Sequence, residues 1–319
     1  MNKKPIIIVM GEPYSIFLEI FFKNIKKYKS KNPIILIGSK KLIAQQNKKM
    51  NLKINLIDRN KIDFKRINNK RINIINVNLP INFKFSKITK SSKNYIHKCF
   101  EIALILLKTK KFKGLINGPI SKKNFLQKKF FGITEYLAYK TNKINDFAML
   151  IYEKNLSVCP ITTHLPVKMI TKNLSKNKIV SKVKLIKKFF IKNFNKNPMI
   201  AVTGLNPHCE SNEKLNEEKK IIIPAINILK KKKYNIFGPL SADTLFLKQN
   251  LKKYDVIIGM YHDQVLTPVK ALYNFSPINI TLGLPFIRIS PDHGPNEFMV
   301  GKNLSNPQSL IEALKFLNK

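Results

Sequence analysis

The sequence is poor in cysteine, in acidic residues and in long apolar runs, and it contains no tryptophan. Its three cysteines, Cys99, Cys159 and Cys209, are odd in number and far apart, which argues against a disulfide framework and favours reduced thiols. No apolar run approaches the ~18 residues that cross a bilayer. The apolar start at residues 6–10 is interrupted at residues 11–13, before it reaches the length of a signal-peptide core. We therefore expect a cytoplasmic protein with a buried first strand.

The shortage of acidic residues leaves 59 Lys and Arg against 18 Asp and Glu, a formal net charge of +41. The lysines occur along nearly every predicted helix and loop, together with abundant Asn and Ile, which is typical of compositional drift in an AT-rich genome. No basic stretch carries the interleaved aromatic residues of a base-stacking platform. We expect only nonspecific adhesion to nucleic acid at low salt, and attraction of anionic substrates.

The chain also lacks a Gly-x-Gly-x-x-Gly segment, so any nicotinamide cofactor has to bind without the standard dinucleotide fingerprint. The sequence does contain an alternation of short apolar runs and helical stretches. The length of the chain, 319 residues, corresponds to about two domains. This alternation predicts an α/β fold with a largely parallel sheet. Predicted strands cover residues 6–10, 34–37, 72–77, 114–117, 147–152, 158–162, 199–203, 256–260 and 279–282, and predicted helices cover residues 92–110, 166–194, 217–233 and 263–272.

Three of the five histidines, His164, His208 and His262, lie in short polar segments that each follow a predicted strand. Strand ends in α/β proteins face the ligand crevice. Neutral imidazole is the commonest protein ligand of divalent metals. The separations along the chain are long enough for at least one strand-helix unit between ligands. The pattern therefore predicts a metal site assembled from separate strands rather than a local finger motif.

Four further polar features are candidates for a site, and the first three also have an ordinary explanation. Residues 117–122 follow a strand and open a helix, which suits an anion at a helix N-terminus or a simple turn. Asp243 either serves a site or is a first-turn acid favoured by the helix dipole. Lys270, two helical turns after His262, either shares a face with it or is solvated. Arg288 interrupts an apolar run, so it must be paired, most economically with a carboxylate or a phosphate.

Taken together, these segments resemble the 4-hydroxythreonine-4-phosphate dehydrogenase family of pyridoxal phosphate synthesis, and the resemblance spans nearly the whole chain. The matching segments are residues 11–13, 117–119, 134–138, 162–166, 204–208, 238–244, 261–264, 279–290 and 292–294.

The resemblance implies a set of ligand-binding residues. They are His164, His208 and His262 for one divalent metal ion such as zinc, magnesium or cobalt, Thr134, Asp243, Lys270, Asn279 and Arg288 for the phosphorylated substrate, and His293 with Gly294 for NAD. The last segment resembles the adenosine-side loop of isocitrate and isopropylmalate dehydrogenases. Of these residues, Asp243 and Lys270 are the expected catalytic groups, with Asp243 or a bound water as the proton carrier.

The same resemblance implies an architecture of two α/β/α layered domains with mostly parallel sheets and an active-site cleft between them, as in isocitrate and isopropylmalate dehydrogenases. We assign residues 1–130 with 265–319 to the cofactor-side domain, and residues 131–264 to the domain of the metal ligands and dimer contacts. A homodimer with a shared active site is expected. The implied reaction is NAD-dependent oxidation of 4-phosphohydroxy-L-threonine, followed by decarboxylation to 3-amino-2-oxopropyl phosphate.

The chain departs from the family pattern at three places. Ile133 stands where the family motif has a histidine, residues 11–17 lack the later glycines usual there, and residues 295–297 differ from the typical stretch. Two alternatives therefore stay open. One is a dehydrogenase for another four-carbon acid phosphate, threonate or erythronate 4-phosphate. The other is an inactive scaffold that binds nucleic acid through its basic surface.

Overall fold

The structure, a computed structural model, describes residues 3–48, 51–79, 87–88, 90–126, 130, 132–144, 146–211, 216–291 and 293–319. The chain forms two compact units, Met1–Tyr136 with Pro285–Lys319, and Leu137–Leu284. The sequence prediction places the end of the second domain at residue 264. The structure places it at residue 284, because the strand at residues 278–282 pairs with the strand at residues 148–152.

The first unit is an all-parallel sheet with helices. Its first strand, Ile6–Val9, is a continuous run of Ile and Val that is fully buried, and apolar residues in every position suit a parallel sheet covered on both faces. The strand order is β3-β4-β2-β1-β5-β12, and the neighbouring strands in this order are parallel. The elements are β1 (Ile6–Val9), α1 (Phe17–Lys27), β2 (Ile34–Gly38), α2 (Lys40–Asn47), β3 (Ile54–Leu56), β4 (Ile72–Asn76), α3 (Lys93–Lys108), β5 (Gly114–Asn117), α4 (Ile133–Lys140), whose last residues belong to the second unit, and, at the end of the chain, β12 (Arg288–Pro291) and α11 (Gln308–Leu317).

The second unit is a mixed sheet in the order β11-β6-β7-β10-β8-β9. The pairs β11/β6 and β6/β7 are antiparallel, whereas β7, β10, β8 and β9 run parallel. Its elements are β6 (Ala148–Tyr152), β7 (Ser157–Thr162), α5 (Ile170–Asn173), α6 (Lys176–Phe194), β8 (Ile200–Thr203), α7 (Ile223–Lys231), β9 (Ile236–Leu240), α8 (Ala242–Leu245), α9 (Lys248–Leu251), β10 (Val256–Tyr261), α10 (His262–Tyr273) and β11 (Ile278–Leu282). Because β10 lies between β7 and β8, the carboxyl ends of these three strands meet at one edge.

The α/β class and the nine predicted strands are confirmed, most of them to within a residue at each end. The continuous helix predicted over residues 166–194 is wrong. It is split into α5 and α6, because the backbone is extended at Leu174 and Ser175 and the Ser175 side chain caps α6 by accepting from the Lys178 amide. The sequence reading also omitted β3, β9, β12 and helices α1, α2, α4 and α11.

None of the helices in the described ranges has the length and apolar character needed to cross a membrane.

Candidate functional site

The three predicted metal ligands all follow carboxyl ends of neighbouring parallel strands in the second unit. His164 lies two residues after β7, His208 lies in the turn after β8, and His262 opens α10 directly after β10. The edge predicted from the sequence is thus present within this unit.

His164 and His262 are brought together. Their ring centroids are 5.6 Å apart and the rings are inclined by 37°. His164 has a backbone φ of +54°, a left-handed conformation that non-glycine residues adopt rarely. Such strain persists where the surrounding structure enforces it, and it concentrates at functional sites.

Gln264 fixes the segment that carries His262. Its side-chain oxygen accepts from the Met260 amide at 2.7 Å and from the Thr203 hydroxyl at 2.8 Å. Its side-chain nitrogen donates to the Gly204 carbonyl at 2.8 Å, so one amide ties the end of β10 to the end of β8. The sequence analysis missed this residue, although it lies in the matching segment 261–264.

His262 and His208 each have a polar neighbour at Nδ1. The Asp263 carboxylate lies 2.6 Å from Nδ1 of His262. Nδ1 of His208 lies 3.4 Å from the Ser241 hydroxyl and 4.0 Å from Asp243 Oδ2. A partner at Nδ1 orients an imidazole and leaves Nε2 for a ligand, which is the usual arrangement around metal-binding histidines.

The loop that carries His208 is held by the buried carboxylate of Glu218. One of its oxygens accepts from the backbone amides of Leu205 and Asn206, at 2.7 and 2.8 Å. Burial raises the pKa of Glu218, but hydrogen bonds from Asn206 and Leu205 outweigh it and hold the pKa below its ordinary value. His208 itself has a φ of +54°. The loop is therefore pre-formed around a strained histidine, and the sequence reading missed Glu218.

The three histidines do not form a complete metal site within one chain. Within a single chain, and for the described residues, no group of three His, Cys, Asp or Glu side chains is arranged to hold a metal ion. Two of the three histidines are paired, and the third lies after a neighbouring strand with its own polar neighbours. The donor set, imidazoles with Nδ1 beside a carboxylate or hydroxyl, fits a borderline-soft divalent cation such as zinc.

The other candidates of the second unit are Asp243, Lys270 and Asn279. Asp243 is exposed, and the Ser241 hydroxyl is the main cause of a pKa below its ordinary value. Lys270 lies in α10, and burial lowers its pKa. Asn279 lies in β11 opposite Ile151, and its side-chain oxygen is buried without a hydrogen-bond partner among the described residues. A buried amide oxygen without a hydrogen-bond partner is costly and uncommon in folded proteins.

Arg288, in the first unit, is fully buried at the start of β12. Its Nε donates to Asn117 Oδ1 at 2.7 Å, and its Nη1 donates to the Thr134 hydroxyl at 3.3 Å. Burial lowers its pKa to about 9, and the charge of Glu135 acts in the opposite direction. The sequence analysis expected a carboxylate or phosphate partner. The structure instead places an amide and a hydroxyl oxygen on the guanidinium, with the Glu135 carboxylate nearby.

The predicted cofactor segment also belongs to the first unit. Its first residue, Asp292, lies outside the described residues. The His293 ring packs 6.3 Å from the ring of Phe17, and burial lowers its pKa to about 4, so the imidazole is neutral. Gly294 is exposed. The backbone carbonyl of Pro295 accepts from the Ile16 amide at 3.1 Å, which joins this segment to the loop after β1.

That loop contains Glu12, a buried carboxyl that the sequence reading recorded only as part of a motif. It is 2% exposed, and its amide donates to the Pro119 carbonyl at 2.8 Å. Burial raises its pKa to about 7, Ser92 opposes the shift, and the nearby charge of Glu297 adds to it. An acid after a strand end was visible in the sequence, but its burial was not.

Comparison with known proteins places this geometry in a family. The model of the family "Pyridoxal phosphate biosynthetic protein PdxA" matches residues 29–317. The chain is 38% identical to a 4-hydroxythreonine-4-phosphate dehydrogenase of Sulfurihydrogenibium sp., over 97% of this chain and 95% of that protein. It is 32% identical to a protein of Oceanobacillus iheyensis whose provisional name is D-threonate 4-phosphate dehydrogenase, and the match covers 98% of this chain and 97% of that protein.

Solved structures agree. The crystal structure of 4-hydroxythreonine-4-phosphate dehydrogenase from Klebsiella pneumoniae has a TM-score of 0.84 at 27% identity, covering 99% of this chain and 98% of that one. An isocitrate dehydrogenase from Methylococcus capsulatus, at 10% identity, a TM-score of 0.50 and coverage of 98% and 84%, shares the fold alone. The chain therefore belongs to the PdxA family of pyridoxal phosphate biosynthetic proteins.

Proposed function

We propose that this protein is an NAD-dependent, divalent-metal-dependent dehydrogenase. It oxidises 4-phosphohydroxy-L-threonine and decarboxylates the product to 3-amino-2-oxopropyl phosphate, in pyridoxal 5'-phosphate biosynthesis. The observation that carries the proposal is the set of three histidines at one strand edge, two of them with left-handed backbones and two with a polar neighbour at Nδ1. Membership of the PdxA family and the names of the relatives support it.

His164, His208 and His262 are proposed to hold the cation through ring nitrogens. When bound, a divalent ion supplies Lewis-acid chemistry, acidifying a coordinated hydroxyl and stabilising negative charge on the oxygen of an enolate. The protein's own part is orientation. Asp263 fixes the ring of His262, and Ser241 with Asp243 fixes the ring of His208. This assignment gives Asp243 a positioning role beside His208 in addition to its proposed catalytic role.

We assign substrate contacts to Thr134, Lys270, Asn279 and Arg288. The Thr134 hydroxyl and the Arg288 guanidinium already touch, so together they present donors and positive charge to an anionic group. Asn279 offers its buried amide oxygen as an acceptor. Fixed contacts of this kind hold a substrate in a reactive geometry, which is a large part of catalytic power.

Lys270 is the proposed acid and base. Burial lowers the pKa of its ammonium, which brings it closer to the working pH and makes proton release easier. Decarboxylation leaves an enolate carbon that needs a proton, and an ammonium held beside the substrate can deliver it. His293 and Gly294 are proposed to bind NAD, which accepts the hydride from the substrate carbon that carries the hydroxyl. A neutral His293 imidazole suits hydrogen bonding to a nucleotide without adding charge.

We further propose a cytoplasmic homodimer whose active sites are shared, so that a metal site takes histidines from two copies. Mixing inactive variants tests whether the site is shared. His164→Ala and His208→Ala proteins should each be inactive alone, and mixing them should restore activity if one site draws these two residues from different subunits. The His164→Ala/His262→Ala and His208→Ala/His262→Ala mixtures cover the other two pairings, and inactivity of all three mixtures after subunit exchange would contradict the shared site.

The proposed activity is tested by NADH formation from 4-phosphohydroxy-L-threonine, with and without chelator and with added zinc, cobalt or magnesium. We expect activity that chelator abolishes and metal restores. Full activity after complete metal removal would contradict the proposal. A second candidate is a threonate or erythronate 4-phosphate dehydrogenase, which Ile133 and the name of the Oceanobacillus relative favour. The ratio of kcat/KM values on these substrates decides between the two.

The basic surface offers a third possibility, a scaffold that binds nucleic acid. The dispersed charge favours nonspecific attraction, which falls steeply with salt. DNA affinity that survives physiological salt in a protein inactive on every acid phosphate would establish it instead.

A further inference from the structure

A cavity of about 550 Å³ lies in the first unit, away from the candidate site. It opens between α1, the loop at residues 68–71, and the amino-terminal ends of β2 and β4. The candidate residues of this unit lie elsewhere: His293 follows the carboxyl end of β12, Arg288 lies in β12 and Thr134 lies in α4. Its volume falls in the range of small-molecule sites, ~300–1,000 Å³. The cavity therefore has the size for a ligand and a location of its own.

The walls of this cavity are held rigidly by asparagine side chains. Asn69 accepts from the Ile34 amide at 3.0 Å and donates to the Ser30 carbonyl at 2.9 Å. Asn73 donates to the carbonyls of Ile34 and Asn68, at 3.0 and 2.8 Å. These bonds fasten the loop at residues 68–71 to the start of β2, so the wall is pre-formed.

Asn24 lines the same cavity and is different. It is 1% exposed on the buried face of α1, and neither its side-chain nitrogen nor its oxygen has a hydrogen-bond partner among the described residues. Buried amides are almost always bonded, because leaving both donor and acceptor unpaired is costly. An apolar residue would fill this helix position without that cost, so the amide points to a ligand.

The remaining lining supplies aromatic and cationic groups. Phe21 and Tyr28 offer ring surface, and Lys29, Lys70 and Arg71 bring positive charge, while none of the described residues that line the cavity is acidic. An amide presents a donor and an acceptor side by side, which matches the edge of a nucleobase. Arg and Lys bind phosphate.

We propose that this cavity is a second ligand site that binds a nucleoside monophosphate. The base packs among the aromatic and aliphatic residues and pairs with the Asn24 amide, which rotates toward the cavity that it lines. The phosphate lies at the rim with Lys70 and Arg71. The site is separate from the proposed dehydrogenase chemistry and does not depend on it.

The test is calorimetric titration of the full chain with adenosine 5'-monophosphate at physiological salt, with adenosine and ribose 5-phosphate as partial ligands. We expect saturable binding of the whole nucleotide at one site per chain, with both partial ligands weaker. Equal binding of ribose 5-phosphate would overturn the assignment of a nucleotide, since it would mean that the base is not read. Absence of saturable binding would overturn the site.

Two variants locate the binding. Asn24→Leu should lower nucleotide affinity by about tenfold while leaving the ligand-free melting temperature equal or higher, because it removes an unpaired buried amide. A Lys70→Glu, Arg71→Glu double variant should also lower affinity by about tenfold or more. The matched control is Lys231→Glu, Lys232→Glu, an exposed pair in the second unit, which should have little effect.

Two results contradict the location. One is unchanged affinity in the Asn24→Leu and rim variants. The other is loss of binding in His293→Ala alone, which would place the nucleotide at the proposed cofactor segment. The test measures nucleotide affinity and melting temperature, and neither depends on dehydrogenase activity. Its outcome is therefore independent of whether the proposed activity is found.

Discussion

The guanidinium of Arg288 donates from Nε to Asn117 Oδ1 at 2.7 Å inside the first unit. Asn117 is the last residue of β5 and Arg288 the first of β12, and the two strands are paired in parallel. The asparagine therefore satisfies one donor of a fully buried cation and sets the direction in which the remaining donors point. Asn117, which the sequence assigns either to an anion-binding turn or to an ordinary one, thus supports the proposed anion contact.

Replacing Asn117 by Leu should remove this acceptor while keeping a similar volume. We expect a loss of about 1–3 kcal/mol in the free energy of unfolding, because a buried Arg donor is left unpaired. Urea unfolding measures the effect. Asn60→Leu, at an exposed position, is the control and should change stability little. An Asn117→Leu protein as stable as the parent would show that Arg288 does not depend on this bond.

The buried Glu12 predicts a pH dependence of stability. Its pKa is raised from 4.5 to about 7, so the native state binds a proton that the unfolded state releases. The associated stabilisation, about 3 kcal/mol at most, is complete below the unfolded pKa and disappears as the pH rises through about 7.

Glu12→Gln removes this proton linkage. The parent should therefore lose stability relative to Glu12→Gln between about pH 5 and pH 8, in urea unfolding at matched ionic strength. A stability difference that stays constant over this range would show that Glu12 is an ordinary carboxylate in the folded protein.

Gln264 should be important for both stability and metal binding. Replacement by Leu leaves the Met260 amide and the Gly204 carbonyl without their partner, which should cost about 1–3 kcal/mol. Because the same amide ties together the segments of His208 and His262, zinc affinity should also fall, about tenfold or more. Competition with a chromogenic chelator measures it, with the exposed Gln249→Leu as control. If Gln264→Leu bound zinc as tightly as the parent, the hydrogen bonds of Gln264 would not be needed for metal binding.

Asp263 tests the orientation of His262. Asp263→Asn keeps the shape of the side chain but removes the charge beside Nδ1, at 2.6 Å in the structure. We expect metal affinity about tenfold lower with little change in stability, since the Asp263 side chain is largely exposed. Asp58→Asn is a control far along the chain. Unaltered affinity would mean that His262 needs no carboxylate to bind metal.

The sequence predicted the parts of this protein that depend on local pattern. Buried Ile and Val runs located the central strands, and polar segments after those strands located the three histidines. It did not show how the loops are held, because Gln264 and Asn117 bond to partners 60 and 171 residues away and Glu218 bonds to backbone amides of a loop, 12 and 13 residues away. The same holds for Glu12, since burial of a carboxyl depends on packing that a single segment does not reveal. The short strand β3 was missed because three residues give too weak a pattern. The interruption before α6 was missed because a single serine cap is an equally weak signal.

The central claim is that three histidines hold a divalent ion that the reaction requires. Bound metal per chain, measured by elemental analysis together with NADH formation from 4-phosphohydroxy-L-threonine, tests it in His164→Ala, His208→Ala and His262→Ala. The account predicts that the parent binds one ion per chain and that each variant loses the ion and the activity together. A variant that keeps full activity without bound metal would contradict it.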